Sequence, residues 1–438
     1  MWGMTCVILA VGLWLMIASF LEMPVSTTHS CVGGIIGMTM MARGASCVVW
    51  NAPNDAFPFV DGVTAIIVSW VLSPVASGVC SAIFYGLTYV FVLKNPENSF
   101  ERAKYAFPFI VGFTVCVNVI FFVLKGTKGR AEELGTADIV SEAKDGNLLP
   151  VTWVGLVAFA VSTAIAAAIT PTLVKKIENR PEATDIEVVE VEAAEPKKGA
   201  DEPAVVDTSS IGVIEMVKSE LNADPLAVLA KDDTVGAIHD NVSRHDPRCE
   251  EMFKFVQVFT AIVGSFSHGA NDVSNAMGPF SAVYMTYKSG AVSSSEEVGD
   301  DMYWILCIGG VGIVVGLATY GYKIMSVIGV KLIAITPSRG YCIELGAAFV
   351  VIYGTSQGWP LSTTHCQVGA TVGVGLFEGR SGVNLPVLLK CIAGWVLTLL
   401  VVGVTAAMLV GPNPNPIKAQ YCDYETYDWT VFDTNSTA

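Results

Sequence analysis

The chain has 438 residues, of which 52% are hydrophobic and only 15% charged, with a mean hydropathy of +0.55. A soluble protein of this size needs a charged shell, with roughly 25% of its residues charged, and this chain cannot supply one. Its net charge of −15, from 25 Lys and Arg against 40 Asp and Glu, argues against nucleic acid as a partner, since such binding relies on cationic side chains.

The long apolar stretches are continuous rather than alternating, so they predict membrane helices rather than a β-barrel. In chain order they are Met4–Leu21, Val25–Met41, Val63–Leu93 (with Pro74 expected to kink it), Phe107–Leu124 and Val151–Leu173. After a polar gap come Phe253–Tyr284, Tyr303–Ile324, Val327–Gly354, Leu361–Phe377 and Val387–Val410. That makes about ten segments, two of which need not cross fully. The chain then divides into a first membrane half (1–173), an acidic loop (174–252), a second membrane half (253–411) and a polar tail (412–438). The loop carries Glu187, Glu190, Glu192 and Glu195, and its charge with low hydrophobicity predicts disorder. A short amphipathic helix around Ile211–Leu221 is its one candidate element. Lys94, Arg102, Lys104, Lys175, Lys176 and Arg180 favour a cytoplasmic loop, although Lys125, Lys128 and Arg130 argue for the opposite orientation. The 11 cysteines show no CxxC spacing and read as reduced, buried small hydrophobes.

The decisive feature is a repeat. Pro24-Val-Ser-Thr-Thr-His29-Ser-Cys-Val-Gly33 recurs as Pro360-Leu-Ser-Thr-Thr-His365-Cys-Gln-Val-Gly369, and 360 − 24 is an offset of 336 residues. Both copies continue to a second glycine, Gly37 and Gly373. Ser69-Trp-Val-Leu-Ser73 is likewise related to Gly394-Trp-Val-Leu-Thr398. Duplicated halves mark secondary transporters, with the site where the repeats meet. In each copy a proline breaks the chain, and Ser26, Thr27 and Thr28, or Ser362, Thr363 and Thr364, then sit at a helix N-terminus. Hydroxyls, free N–H groups and the positive dipole end converge there, which suits an oxyanion. Simple N-capping competes with that reading. His29 and His365 are either coupling groups or packed structural partners.

The second constellation is Ser267-His-Gly-Ala-Asn271-Asp272-Val-Ser274-Asn275-Ala-Met-Gly278-Pro279, inside an apolar stretch. An intramembrane aspartate is a functional candidate by default. Asn271 is expected to bind the anion. Asp272, Ser274 and Asn275 offer oxygen ligands for a hard cation, and Gly269 and Gly278-Pro279 are expected to unwind the helix around it. Glu344 is either a coupling carboxylate, the preferred reading, or the partner of Arg339. A hydrolase built on Ser26 and His29 lacks an acid to orient the histidine, so no enzyme is expected.

At these residues the chain resembles the inorganic phosphate transporter family, the PiT-type sodium–phosphate symporters. The residues that carry the likeness are Gly269-Ala-Asn-Asp-Val-Ser-Asn-Ala276, Pro337-Ser-Arg-Gly-Tyr with Glu344, both Ser-Thr-Thr-His motifs and Ser69–Pro74. The resemblance implies an all-α integral membrane protein of inverted repeats with re-entrant or broken helices, moving inorganic phosphate with sodium. It also implies a Gly-Ala-Asn-Asp signature and a membrane glutamate in the first half, where this sequence has none. Either an additional N-terminal segment or a shortened form with a lopsided site is therefore expected. Proton coupling through His29, His365 and Glu344 is the alternative, and a transport-dead phosphate sensor or receptor is a third reading. The expected partners are phosphate, sodium and the lipid bilayer. A homo-oligomer is left open. No cofactor or metal beyond the transported sodium is expected, and the plasma membrane is preferred to an organelle.

Overall fold

The computed structural model describes residues 1–55, 57–123, 136–144, 149–179, 233–240, 242–290 and 303–411. These form α1 (Trp2–Phe20), α2 (Thr27–Arg43), α3 (Val63–Thr88), α4 (Pro96–Phe121), α5 (Ala137–Lys144) and α6 (Leu149–Glu178). There follow α7 (Asp233–Asp240), α8 (Pro247–Ser289), α9 (Tyr303–Thr319), α10 (Gly321–Ser326), α11 (Pro337–Ser356), α12 (Thr363–Gly375) and α13 (Leu385–Val410). The described strands are a two-residue ladder pairing β1 (Ala52–Pro53) with β2 (Val60–Asp61), in the connection between α2 and α3.

Among the described residues, five helices are long and apolar enough to cross a bilayer: α1, α3 with its π-helical extension to Leu93, α4, α6 and α13. The pair Tyr303–Thr319 and Gly321–Lys331 makes a sixth if its 64° bend lies within one span. The single span expected over Val327–Gly354 is in fact two pieces, a π-turn at Val327–Lys331 and then α11. The break falls before Pro337, because a residue preceding proline is pushed out of the helical region while proline itself suits the first turn of a new helix. The expected unwinding around Gly269 and Gly278-Pro279 does not occur. α8 runs unbroken for 43 residues, held along its length by α11, α4, α1 and α9. α3 likewise continues through Pro74, as neighbouring helices permit in a membrane.

The repeat is visible as packing. α2 lies along α13 and α12 lies along α3, so each Ser-Thr-Thr-His helix pairs with a helix of the other half. Gly33 meets the Leu399 backbone and Gly37 that of Gly403, while Gly369 meets Pro74 and Gly373 meets Gly78. Any Cβ at Gly37 or Gly373 would fall on the facing backbone, so only glycine allows the approach. The partner helices keep their own offset, since 395 − 70 and 403 − 78 both equal 325. On α3, Ser69, Ser73, Ser77 and Ser81 form a fully buried stripe of small residues at four-residue spacing.

The two copies run in opposite senses. At one end of the bundle the turn after α1 meets the 327–332 turn. Glu22 is ion-paired with Lys331, and Asn384 donates its backbone N–H to Leu332 O at 2.8 Å. The turn after α11 lies at the opposite end, where Trp359 packs on Phe57 with ring centroids 5.1 Å apart.

Of the segment expected to be disordered, residues 180–232 lie outside the described residues, as do the Ile211–Leu221 candidate and the 412–438 tail. Its C-terminal end is helical and docked. Val235 and Ile238 of α7 are buried, His239 Nε2 donates to Val330 O at 3.0 Å, and Ser243 donates to Glu378 Oε2 at 2.9 Å.

Candidate functional site

The N-termini of α2 and α12 meet at Asp272. Thr363 Oγ1 donates to both carboxylate oxygens of Asp272, at 2.9 and 3.1 Å, and Thr27 Oγ1 reaches Oδ1 at 3.4 Å. Asn275, one turn along α8, donates to Thr27 Oγ1 at 3.1 Å, to Thr28 Oγ1 at 3.0 Å and to Asp272 Oδ1 at 3.4 Å. Thr364 Oγ1 donates across the repeats to Val25 O at 3.2 Å. One carboxylate thus ties together two helix starts that are 336 residues apart in sequence.

The capping and cradle readings of the repeated motif divide between its residues. Ser26 Oγ accepts the N–H of His29 at 3.2 Å and Ser362 Oγ that of His365 at 3.3 Å. Both serines are buried and serve as ordinary N-caps. The threonines, one and two positions on, are left to face the centre.

A cavity of about 1210 Å³ opens beside this point, between α1, α8, α9, α10, α11 and α12. Its wall includes Thr27, Asp272, Glu344, Thr363, Thr364 and Gln367. No lysine or arginine lines it among the described residues. Glu344 accepts from Thr260 Oγ1 at 2.8 Å. It does not pair with Arg339, whose guanidinium is ion-paired with Glu378 and also donates to Tyr85 Oη at 3.3 Å.

Other expected site residues stand elsewhere. Ser274 is exposed and donates to Asn271 O of its own helix at 2.6 Å, away from Asp272. Asn271 neighbours Asp272 but does not line the cavity. His29 and His365 are buried behind the threonines with ring centroids 4.6 Å apart. Trp70 flanks His29 at 5.9 Å and Trp395 flanks His365 at 3.8 Å. Neither histidine reaches the cavity wall. Sequence reasoning missed Gln257 and Thr260, and gave no role to His268 although it stands in the Ser267–Pro279 motif. Gln257, Ala261, Gly264, His268 and Asp272 all line the cavity at steps of three or four residues, so the helical stripe ending at Asp272 was the available signal.

The model of the phosphate transporter family matches residues 1–406. The chain belongs to this family. It is 30% identical over 410 residues to a protein named as a phosphate permease in Thermococcus kodakarensis, covering 93% of this chain and 77% of that protein. It is 27% identical to the phosphate-repressible phosphate permease pho-4 of Neurospora crassa, with coverage of 94% and 83%. Among solved structures it resembles one described as the sodium-dependent phosphate transporter. There the TM-score is 0.64 and the identity 26%, over 93% of this chain and 78% of that one. The chain is accordingly an all-α, multi-pass membrane transporter of the phosphate transporter family and not an enzyme.

Proposed function

We propose that the chain carries inorganic phosphate across the plasma membrane together with sodium. Phosphate would bind to the threonine hydroxyls and N–H groups at the meeting helix starts, with sodium on Asp272, Asn275 and the surrounding oxygens. One observation carries the coupling: the hydroxyl that would serve phosphate, Thr363 Oγ1, is the donor to Asp272. A phosphate monoanion about 4 Å from an ionised Asp272 would be repelled by about 4 kcal/mol at an effective dielectric near 20. That offsets roughly four hydrogen bonds at a net ~1 kcal/mol each. A cation on Asp272 removes the repulsion and frees the donors. Without one, the wall offers phosphate two carboxylates and no Lys or Arg among the described residues. The relative described as sodium-dependent supports sodium as that cation, and an inside-negative plasma membrane would drive its entry.

The test is radiolabelled phosphate accumulation by purified protein in vesicles, with an inward sodium gradient or with choline in its place. Accumulation that is equal in both, at equal pH on the two sides, would overturn the coupling. Glu344, on the same wall and accepting from Thr260, favours a second reading, coupling to protons. Accumulation driven by an inward pH gradient without sodium, and lost in Glu344→Gln, would select it.

A further inference from the structure

The cavity wall is acidic, yet cations gather at its rim. Leu21 and Val330 line the cavity at one end of the bundle, and their sequence neighbours Glu22 and Lys331 form an ion pair. Lys390 donates from Nζ to Leu21 O at 3.1 Å. The pair is partly open to solvent, with Lys331 21% and Glu22 40% exposed, so it is weak enough to exchange partners.

The backbone supplies an independent sign. Glu22 has φ of 54°, in the left-handed region that disfavours non-glycine residues. Its counterpart in the second repeat, 336 residues on, is Gly358, at φ of 75°. The same turn is made without strain by glycine in one copy and held by a glutamate in the other. Strain retained where the repeat demonstrates an unstrained solution points to a use for the side chain, and the contact that Glu22 makes is with Lys331.

We propose that Lys331 and Lys390 form a vestibule for a phosphate oxyanion at this mouth, with Glu22 as the built-in counter-ion that the oxyanion displaces from Lys331. The oxyanion is free phosphate passing to or from the threonines, so the assignment rests on the phosphate-transport reading above. Lysines at a membrane face also attract lipid headgroup phosphates, and the experiment separates the two sources.

If Glu22 and Lys331 merely fasten the two turns, losing either partner has the same effect. A vestibule gives opposite effects. In oriented vesicles, Lys331→Gln should raise the half-saturating phosphate concentration for flux entering from this face by roughly three- to ten-fold. Glu22→Gly, which suits the turn, should lower it about two-fold, and flux entering from the other face should keep its half-saturation in both. Shifts of the same sign, or none, overturn the proposal.

A second readout needs no transport. With Leu21→Cys as the reporter, the rate ratio of anionic to cationic thiosulfonate labelling, corrected for the native cysteines, should fall with Lys331→Gln and rise with Glu22→Gly. Free phosphate should slow the anionic reagent in vesicles of purely zwitterionic lipid. A ratio that neither substitution moves overturns the vestibule, and protection that appears only with anionic lipid assigns the lysines to headgroups and overturns it as well.

Discussion

The hairpins α1–α2 and α11–α12 share a packing scheme and differ in chemistry. Both place a Ser-Thr-Thr-His start at Asp272, and both press two glycines onto a helix of the other half. Yet Glu344, which lines the cavity, has Ile8 as its counterpart at the 336-residue offset, Arg339 has Gly3, and Gly358 has Glu22. The symmetric part is whatever brings two helix starts to one point, where any bulk on either side would part them. The asymmetric part is charge, because a carboxylate on the cavity wall or an ion pair at one end of the bundle need exist only once. Asp272 stands between the two, a single residue of α8 serving both copies.

The largest effect should therefore come from Asp272→Asn, which removes the charge at that junction. Hydrogen bonds to a charged group are worth about 1.5–3 kcal/mol each, and Asp272 accepts from Thr363 and Thr27 as well as Asn275. Coupled phosphate uptake should fall at least ~100-fold, with sodium dependence lost before phosphate binding. Uptake that keeps its wild-type sodium dependence would place the cation elsewhere and make Asp272 a brace between the hairpins.

Much of this was legible from the sequence. The Ser-Thr-Thr-His repeat and the intramembrane Asn-Asp announced both the duplicated fold and the residue at its centre. What was not legible depended on contacts between distant residues. Which hydroxyls cap and which face the site is decided by Ser26 and Ser362 turning back onto the His29 and His365 N–H groups. That left Ser26 and Ser362 indistinguishable from Thr27 and Thr363 in one dimension. Ser274 follows Asp272 by two positions, about 200° around a helix, and is carried away from the site once α8 stays intact through Gly269 and Pro279. The glutamate for Arg339 is Glu378, 39 residues on, in a turn that periodicity does not reveal. His29 and His365, which the sequence left open as coupling groups or packed structural partners, pack on each other and on tryptophans.

The symmetric half of the comparison is tested by Gly37→Val and Gly373→Val. Each new side chain would meet backbone, at Gly403 and Gly78 respectively, which cannot rotate away as a side chain would. Overpacking of this kind costs about 1–3 kcal/mol. Thermal unfolding of the purified protein in detergent should show losses of similar size for the two. A loss at one glycine and none at the other would break the equivalence of the hairpins.

A finer asymmetry separates the two threonines. Thr363 donates to Asp272 at 2.9 Å and Thr27 at 3.4 Å, so the second copy holds the carboxylate more tightly. Thr363→Val should raise the half-saturating phosphate concentration by roughly ten-fold, near the 1–3 kcal/mol cost of an unmade buried hydrogen bond. Thr27→Val should raise it only about two- to three-fold by the same reasoning. Equal shifts would mean that the donors serve phosphate alike, whatever their distances to Asp272.

The smallest effect should follow from shortening the connection between the halves, up to a definite residue. Removing residues 187–232 takes away an acidic, low-hydrophobicity stretch and should leave phosphate half-saturation within about two-fold of the full chain. Extending the deletion through residue 245 removes α7 with its buried Val235 and Ile238, the His239 bond to Val330 and the Ser243 bond to Glu378. Glu378 is also the partner of the buried Arg339. The longer deletion should thus lower thermal stability where the shorter does not. The docked end should respond to pH as well. Burial holds the His245 ring below the usual histidine range, against the pull of Glu250 and Glu378 and with help from Arg339. A histidine depressed in the folded state favours docking above its ordinary pKa of 6.5, and that contribution is lost as pH falls below it. Proteolytic cleavage within 233–246 should accelerate as pH falls below about 6.5, and His245→Gln should remove the acceleration. Cleavage equally fast at pH 7.5 and pH 5.5 would show that the segment is held by its apolar residues alone.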